Sequence, residues 1–311
     1  MKNILELKDV NVTFTVESGD LHILRDVSLE VPKGSFLCVV GESGCGKSVT
    51  AQAIVQLLPD NGRVDSGSIT YFDKDEALEI NKLEKFGNKM RSLRGAKIGM
   101  IFQDTLSSLN PAHKVGRQVA ETLRQHMNLS KEEAKERVIE LFKKLGIPDP
   151  ERRYDAYPHE FSGGMRQRVM IAIATVCEPD LVIADEPTTA LDVTIQAQIM
   201  TLLKDLQKSA GKTFILITHN MALVSEVADQ VAVMYLGRVV EYGNVDQVLR
   251  NPRHPYTKAL LQSVPSLAAD KDVELSTVEG QTPSPADVTK GCEFAGRCPF
   301  VIEACRTQTI P

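Results

Sequence analysis

The sequence predicts an α/β fold in which a mixed core carries a helical insertion and a separate C-terminal tail. Three continuous apolar, β-prone runs, "SFLCVV", "DLVIAD" and "TFILIT", have the composition of buried parallel strands. Near the N-terminus, "ILELKDVNVTF" and "HILRDVSLEV" alternate apolar and polar residues, as half-exposed antiparallel strands do. With 311 residues, the chain is long enough for one large domain and an appendage.

Two further segments have clear secondary-structure signals. Residues 130–146, "SKEEAKERVIELFKKLG", begin with a Ser cap and end in Gly, which predicts a helix. One face of that helix is apolar and comprises Ala134, Val138, Leu141, Phe142 and Leu145. "QVAVMYLGRVVEYG" predicts two strands that meet at Leu236 and Gly237.

The composition changes after residue 250, where "NPRHPYTKALLQSVPSL" is followed by a linker rich in Pro, Ser and Asp and then by cysteines. We therefore predict a core domain at residues 1–250 and a C-terminal extension at residues 251–311. Within the core we expect a helical subdomain at about residues 104–166.

Charge and hydropathy exclude several classes of protein. The 36 basic and 41 acidic residues give a net charge of −5, which argues against a protein that coats nucleic acid. The N-terminal stretch lacks the pattern of a secretory signal. No apolar run approaches the roughly 18 residues of a membrane helix, so we expect no transmembrane segment and a cytoplasmic location. Six cysteines in a chain this long do not indicate a disulfide scaffold.

The strongest chemical motif is "GESGCGKS", residues 41–48, which matches G-x-x-x-x-G-K-[ST] and follows a predicted strand. Glycines let successive backbone N–H groups converge on phosphate oxygens at the positive end of a helix. Lys47 adds a charge at the β- and γ-phosphates, and Ser48 offers a hydroxyl to Mg²⁺. An ordinary glycine-rich turn is the alternative, but the flanking strand and the helix-forming "VTAQAIVQLL" favour a P-loop of a nucleotide hydrolase. The predicted nucleotide-binding residues are Gly41, Ser43, Gly44, Cys45, Gly46, Lys47, Ser48 and Val49.

The run "LVIADEP" supplies two carboxylates at the end of a predicted buried strand, where open α/β sheets bind ligands. Asp185 is suited to hold the water shell of a metal ion, and Glu186 is suited to orient and deprotonate an attacking water. The alternative is a pair of solvated carboxylates that cap a strand, which the P-loop in the same chain makes less favoured.

Two motifs gain meaning only from their context. His219 follows "ILIT", where a lone histidine is more often a satisfied core or surface group than a catalytic one. "FSGGMRQR", residues 161–168, resembles a phosphate-binding turn that leads into a helix, yet no lysine follows its glycines. On its own, Ser162 is an ordinary helix N-cap.

In this order, these elements resemble the ATPase subunits of ABC transporters over about residues 4–310. Gln103 in "IFQD" matches the Q-loop glutamine of that family, which touches Mg²⁺ and senses the membrane partner. "FSGGMRQ" matches the signature motif LSGGQ, with Phe161 in place of Leu and Met165 in place of Gln.

The remaining family positions also have counterparts. Asp192 in "TALD" matches the D-loop, and His219 matches the switch histidine, with Asn220 where Asp is more usual. Phe14 falls where the family stacks an aromatic ring on adenine, although it also suits an ordinary strand aromatic.

The resemblance implies that two ATPase subunits meet head to tail and enclose ATP and Mg²⁺ between them. The predicted metal ligands are Ser48, Gln103 and Asp185. Signature residues of the partner subunit contact the γ-phosphate in this family, which assigns that contact to Ser162, Gly163 and Gly164. A second lysine is then redundant, because N–H groups at a helix start already attract the anion.

"TLSSLNP" and "RHPYTKALLQSVP" are similar to segments of the oligopeptide, dipeptide and nickel importers of the same family. Members of that branch continue with "CxFxxRCPxxxxxC", which reads "CEFAGRCPFVIEAC" here and contains Cys292, Cys298 and Cys305. Some members imply a [4Fe–4S] cluster on four thiolates, for which the fourth ligand is not in this chain. Reduced structural thiols are the alternative. Cys45 lies inside the P-loop, where we expect the helix start to lower its pKa.

We therefore predict the ATP-hydrolysing subunit of a membrane importer for peptides or a related solute. The expected partners are a second ABC ATPase subunit, two transmembrane permeases and an extracytoplasmic solute-binding protein, without nucleic acid. A heterodimer of ATPases is favoured over a homodimer, although one chain with every motif fits both. The expected location is peripheral, on the cytoplasmic face of the membrane. The alternatives are a soluble ABC ATPase of translation or DNA repair and a regulatory or inactive partner subunit.

Overall fold

The computed structural model describes residues 2–74, 76–103, 108–189, 191–263, 280–287 and 291–308. The chain forms two compact units: residues 1–82 together with 218–311, and residues 83–217. The described part of the C-terminal tail thus belongs to the same unit as the N-terminal strands. The domains predicted at residues 1–250 and 251–311 were defined by sequence motifs, whereas these two units are defined by contacts within the fold. The predicted domain boundaries therefore stay a prediction.

The first unit contains an antiparallel sheet in the order β2-β1-β4-β5. Its strands are β1 (Asn3–Val16), β2 (Gly19–Pro32), β4 (Gly62–Asp73) and β5 (Glu76–Glu79). Val10 of β1 and Val27 of β2 are fully buried and the residues before them are exposed, while Ile4–Leu5 and Val12–Thr13 are consecutive buried pairs that interrupt the alternation in β1. The N-terminal antiparallel strands predicted from the alternating pattern are therefore confirmed.

The same unit holds β3 (Phe36–Val40), which runs parallel to β9 (Gln230–Tyr235). Every residue of β3 is buried, as its continuous apolar run predicts. β9 pairs in the antiparallel sense with β10 (Arg238–Asn244). Leu236 (φ 41°) and Gly237 (φ 81°) join the two strands, and two successive positive φ angles are typical of a tight hairpin turn. The predicted strand pair is confirmed.

Short helices complete the described part of the first unit. They are α1 (Lys47–Ile54), α8 (Met221–Val227), α9 (Val245–Arg250), α10 (Pro255–Gln262) and α11 (Glu303–Thr307), with 3₁₀ turns at Ile80–Lys82 and Pro285–Asp287.

The second unit contains parallel strands in the order β6-β7-β8. They are β6 (Ile98–Ile101), β7 (Leu181–Asp185) and β8 (Thr213–Thr218), whose last residue is assigned to the first unit. All residues of β7 and β8 are buried, as predicted from "DLVIAD" and "TFILIT". The helices of this unit are α2 (Asn88–Leu93), α3 (Val115–His126), α4 (Lys131–Lys144), α5 (Pro150–Tyr154), α6 (Gly163–Thr175) and α7 (Val193–Ala210), with a 3₁₀ turn at Pro158–Glu160.

Helices α3 to α6 pack on one another and form the helical part of the second unit. α4 begins with a capping box, in which Glu133 N donates to Ser130 Oγ (3.2 Å) and Ser130 N donates to Glu133 Oε2 (2.9 Å). Val138 and Phe142 on its inner face are fully buried, so the predicted helix is confirmed. Residues 104–107 of the predicted helical subdomain lie outside the described residues. Within the described ranges, no helix combines the length and the apolar character that crossing a bilayer requires.

Candidate functional site

The loop of residues 41–48, which we call the cradle, connects buried strand β3 to helix α1. Gly41 has φ 152°, and a Cβ atom there would lie 2.2 Å from the carbonyl oxygen of Met234. Gly46 has φ 103°, and its Cβ would lie 2.7 Å from Leu24 Cδ2. Both positions therefore require glycine. Gly46 is the N-cap of α1 and makes no side-chain hydrogen bond to the helix start, which is the end of a helix that attracts anions.

Lys47 lies beneath the cradle and is only 5% exposed. Its Nζ donates to the carbonyl oxygens of Gly41 (2.9 Å) and Glu42 (2.8 Å). The ammonium group is thus held by the backbone of the loop itself. Of the other predicted nucleotide-binding residues, Ser43 and Gly44 are exposed, while Ser48 and Val49 are half-buried.

Sequence reasoning missed one support of the cradle. The backbone N–H of Glu42 donates to the hydroxyl of Tyr256 on α10, at 2.8 Å. Burial raises the pKa of Tyr256 far above its usual range, so its hydroxyl stays protonated. "RHPYT" marks a family branch in the sequence, but no pattern places its tyrosine beside a loop more than two hundred residues away.

The prediction that the helix start lowers the pKa of Cys45 is wrong. The thiol is 1% exposed, and burial raises its pKa, because the thiolate loses its hydration. The charge of Lys47, whose Nζ is 3.7 Å from Sγ, offsets this loss only in part. Cys45 is therefore a packed thiol in the wall of the cradle and not a reactive nucleophile.

Two other predicted residues lie in the first unit. Phe14 on β1 is half-buried, and its ring packs against Gly62 of β4. His219 is exposed directly after β8. The next residue, Asn220, caps α8 by accepting from Ala222 N at 3.0 Å, which fixes the start of that helix beside His219. The roles of Phe14 and His219 stay predictions.

In the second unit, the structure brings two predicted residues together. β6 and β7 are parallel with Ile101 opposite Ala184, so the residues that follow them emerge at the same edge of the sheet. There, Glu186 Oε2 accepts from Gln103 Nε2 at 3.2 Å and from Thr189 Oγ1 at 2.9 Å. Sequence reasoning missed Thr189, whose role only the turn after β7 reveals.

Glu186 is half-buried and has a left-handed backbone, φ 45°. Its N–H donates to the carbonyl of Ile217 on β8 at 2.9 Å, which fixes the backbone at this position. Asp185, the last residue of β7, is 4% exposed. A buried strand therefore ends in two carboxylates with different surroundings, one within the core and one oriented by hydrogen bonds.

The structure also brings the signature and D-loop residues together. Ser162 Oγ accepts from Met165 N (3.3 Å) and caps α6, while Asp192 Oδ1 accepts from Ile195 N (3.0 Å) and caps α7. The two helix starts are close, because a Cβ at Gly164 would lie 2.9 Å from Ile195 Cγ2. Ser162 and Gly163 are exposed, so this pair of helix starts faces outward.

The predicted metal ligands fit Mg²⁺ by their chemistry, because the hydroxyl of Ser48, the amide oxygen of Gln103 and the carboxylate of Asp185 are hard oxygen donors. Mg²⁺ keeps several waters and takes few protein ligands beside nucleotide phosphates. Ser48 belongs to the first unit, and Gln103 and Asp185 belong to the second. Gln103 directs its amide nitrogen to Glu186, as a residue that uses its amide oxygen on a metal would.

The predicted iron–sulfur cluster is not supported. Across the part of the chain that the structure describes, no three His, Cys, Asp or Glu side chains are arranged to hold a metal ion. Cys292, Cys298 and Cys305 are half-buried, and burial raises the pKa of Cys292, which disfavours the thiolate that a cluster needs. Cys292 N instead donates to the carbonyl of Cys305 at 2.8 Å, so the motif closes a backbone turn.

Comparison with known protein families gives two matches. Residues 24–189 match the family model described as ABC transporter. Residues 240–305 match the model described as the C-terminal region of oligopeptide/dipeptide transporters.

Individual relatives agree with these matches. The chain is 48% identical to the oligopeptide transport ATP-binding protein OppD of Bacillus subtilis, over 99% of this chain and 85% of that protein. It is 46% identical to the dipeptide transport ATP-binding protein DppD of the same organism, over 98% of this chain and 89% of that protein. Among solved structures, the dimeric post-hydrolysis state of the ATP-binding cassette MJ0796 bound to ADP and Pi has a TM-score of 0.68 at 29% identity. It covers 78% of this chain and 98% of that one.

The burial of Cys45 predicts slow alkylation. At pH 8 we expect iodoacetamide to label Cys45 at least about tenfold more slowly in the folded chain than in urea, since thiolate content and access control the rate. Peptide mass spectrometry measures the labelling, with half-buried Cys298 as the internal reference that reacts faster in the folded chain. Equal labelling of Cys45 in the two states would restore the reactive thiol.

Proposed function

This chain belongs to the ABC transporter family, and from that premise we propose how its residues use ATP to drive solute import. It is the ATP-binding and ATP-hydrolysing subunit of a peptide importer. The observation that carries the substrate class is the match of residues 240–305 to the C-terminal region of oligopeptide/dipeptide transporters. The alternative of a soluble ABC ATPase in translation or DNA repair is not favoured, because the relatives described above are named as transport proteins.

The cradle binds the phosphates of ATP in this proposal. Its N–H groups and the start of α1 attract the anion, and Lys47 turns from the loop carbonyls to the β- and γ-phosphate oxygens. Phe14 stacks on the adenine ring. When bound, Mg²⁺ would neutralise charge on the phosphates, and Ser48, Gln103 and Asp185 would hold it directly or through its water shell.

Glu186 is the general base that takes a proton from the attacking water. Gln103 Nε2 and Thr189 Oγ1 both donate to Oε2 of Glu186. Because the carboxylate group is planar and rigid, these two bonds also fix the position of its other oxygen, Oε1. His219 contacts the γ-phosphate from the loop after β8. Ser162, Gly163 and Gly164 act on ATP held by a second ATPase subunit, and Asp192 supports them from the adjoining helix start.

The importer requires other subunits. Permease subunits form the pore, an extracytoplasmic solute-binding protein delivers the peptide, and this chain works as a peripheral subunit on the cytoplasmic face of the membrane. ATPase subunits of this family pair, and we propose a heterodimer with a second, distinct ATPase. ATP binding closes the pair and hydrolysis opens it, so the nucleotide selects between two states.

Replacement of the base tests the chemistry. We expect Glu186→Gln to slow ATP turnover by roughly 10² to 10⁴, the usual scale for a positioned base, while ATP still binds. Phosphate release by the assembled transporter measures the rate. Glu140→Gln, an exposed position on α4, is the control and is expected to be neutral. Hydrolysis at a near-normal rate would remove Glu186 from this role.

Replacement of the signature serine tests the partner contact. We expect Ser162→Ala to preserve ATP binding by the isolated chain but to reduce ATP-dependent dimerisation and turnover. Loss of a helix cap alone costs about 1 kcal/mol, so Ser130→Ala, which removes the cap of α4 in the same unit, is the matched control. If both variants lower turnover equally, Ser162 is only a cap. If the isolated Ser162→Ala chain no longer binds ATP, the serine contacts the ATP of its own chain and not the ATP of the partner subunit.

Purification tests the assembly. From detergent extracts of the native membrane, we expect the chain to co-purify with two permeases and a second, distinct ATPase, which mass spectrometry identifies. Recovery with ribosomes or DNA instead would support the soluble alternative. Recovery of the permeases with this chain as the sole ATPase would replace the heterodimer by a homodimer.

A further inference from the structure

The cradle contains a carboxylate that a phosphate site does not need. Glu42, the residue after Gly41, forms a bidentate ion pair with Arg297 of the C-terminal tail. Arg297 Nη1 lies 2.7 Å from Oε2, and Nη2 lies 3.0 Å from Oε1. Thr282 Oγ1 donates to the same Oε2 at 3.0 Å. Two parallel N–H···O bonds make this a strong and geometrically specific pair.

Arg297 is itself fixed in place. Its side chain is 6% exposed, and its guanidinium carbon lies 5.8 Å from the ring centre of Tyr235 and 5.9 Å from that of Phe294. These two rings contact each other edge-on, with centres 5.3 Å apart, and both pack against Tyr256. Such packing restricts the guanidinium to one orientation, which is the one that meets Glu42.

Glu42 interacts with Lys47, the proposed phosphate-binding lysine, through a hydrogen bond to its backbone carbonyl and through the charge of its carboxylate. Its carbonyl oxygen accepts from Lys47 Nζ at 2.8 Å, so a shift of Glu42 shifts a group that holds the lysine. Its carboxylate is also ionised: burial alone would raise its pKa, but bonds from Arg297 and Thr282 and the charges of Arg297 and Lys47 hold the pKa below its usual range. An uncompensated negative charge at this position would oppose the binding of a polyphosphate.

We propose that Arg297 is a positioning residue for ATP, which neutralises Glu42 and holds it so that the cradle and Lys47 present a net positive site to the phosphates. The proposal rests on the function proposed above. Arg297 of the C-terminal tail then supports the nucleotide site of its own chain from outside, and ATP affinity depends on the contact of Arg297 with the loop. Neither ion-pair partner contacts ATP in this account, so neither is a catalytic residue.

The test is a charge-rescue experiment on the full-length chain with a fluorescent ATP analogue and Mg²⁺. We expect Arg297→Gln to raise the Kd about tenfold, the scale of one uncompensated charge several ångströms away in a medium of intermediate dielectric constant. The double variant Glu42→Gln/Arg297→Gln should bind within about threefold of the wild type, because it has neither charge. A purely structural ion pair predicts no such rescue, so a double variant as weak as Arg297→Gln overturns the proposal.

Two further variants sharpen the result. Glu293→Gln is the matched control, since Glu293 lies in the same tail segment and pairs with Arg25 (3.4 Å) and Arg238 (2.7 Å) instead of the cradle. We expect its Kd to change less than about twofold, and a loss equal to that of Arg297→Gln would overturn the charge argument. If Arg297→Gln does not fold, Arg297→Lys serves in its place. Lysine keeps the positive charge but cannot form the two parallel hydrogen bonds of the guanidinium group, so we expect a smaller rise in Kd. Adding Glu42→Gln to Arg297→Lys should return the Kd to the wild-type value.

Lys47→Ala separates this inference from the proposed function. If Lys47→Ala abolishes binding and Arg297→Gln leaves the Kd unchanged, the cradle is confirmed and Arg297 has no part in it. If Lys47→Ala also binds as the wild type does, the phosphate site itself is misplaced.

Discussion

The first unit is organised around one constraint: the cradle must keep a backbone at Gly41 and Gly46 that leaves no room for a side chain. Glycine permits this backbone, but it does not hold the backbone still. The walls do so, because the Met234 carbonyl leaves no room at Gly41 and Leu24 leaves none at Gly46. Gly237 N also donates to the Cys45 carbonyl at 2.9 Å. Segments that are distant in sequence thus fix the loop. The buried strand β3, which directly precedes the loop, holds its first residue in place.

The second unit presents helix starts in a different way. Where α1 has a glycine cap and a lysine, α6 and α7 begin with the polar caps Ser162 and Asp192. A polar cap satisfies one N–H group within the chain, whereas the glycine cap of α1 makes no side-chain bond to its helix. Gly164 permits the two starts to approach, so the glycines of "SGG" serve helix packing as well as access.

Features that depend on a short stretch of sequence could be predicted from the sequence alone. Buried strands, the antiparallel N-terminal pair, the Ser130-capped helix and the cradle all follow from periodicity, caps and glycine spacing. The pKa of Cys45 was not predictable, because the helix start is local but the burial that outweighs it comes from the folded core. The pairing of Glu42 with Arg297 joins residues 255 positions apart, and no periodic signal links them. The three tail cysteines matched a motif, yet only coordinates reveal whether the sulfur atoms converge.

The left-handed backbone of Glu186 has a consequence for how such a protein changes over time. A non-glycine residue at φ 45° is strained by about 1 to 3 kcal/mol, and glycine or asparagine adopts this conformation more easily. Drift toward a more robust fold would therefore favour the loss of the carboxylate at this position. Under the proposed role of Glu186 as the base, selection for turnover acts against that tendency, so an ATPase half released from hydrolytic duty, as in a pair with one working site, is where a replacement at this turn would first become fixed.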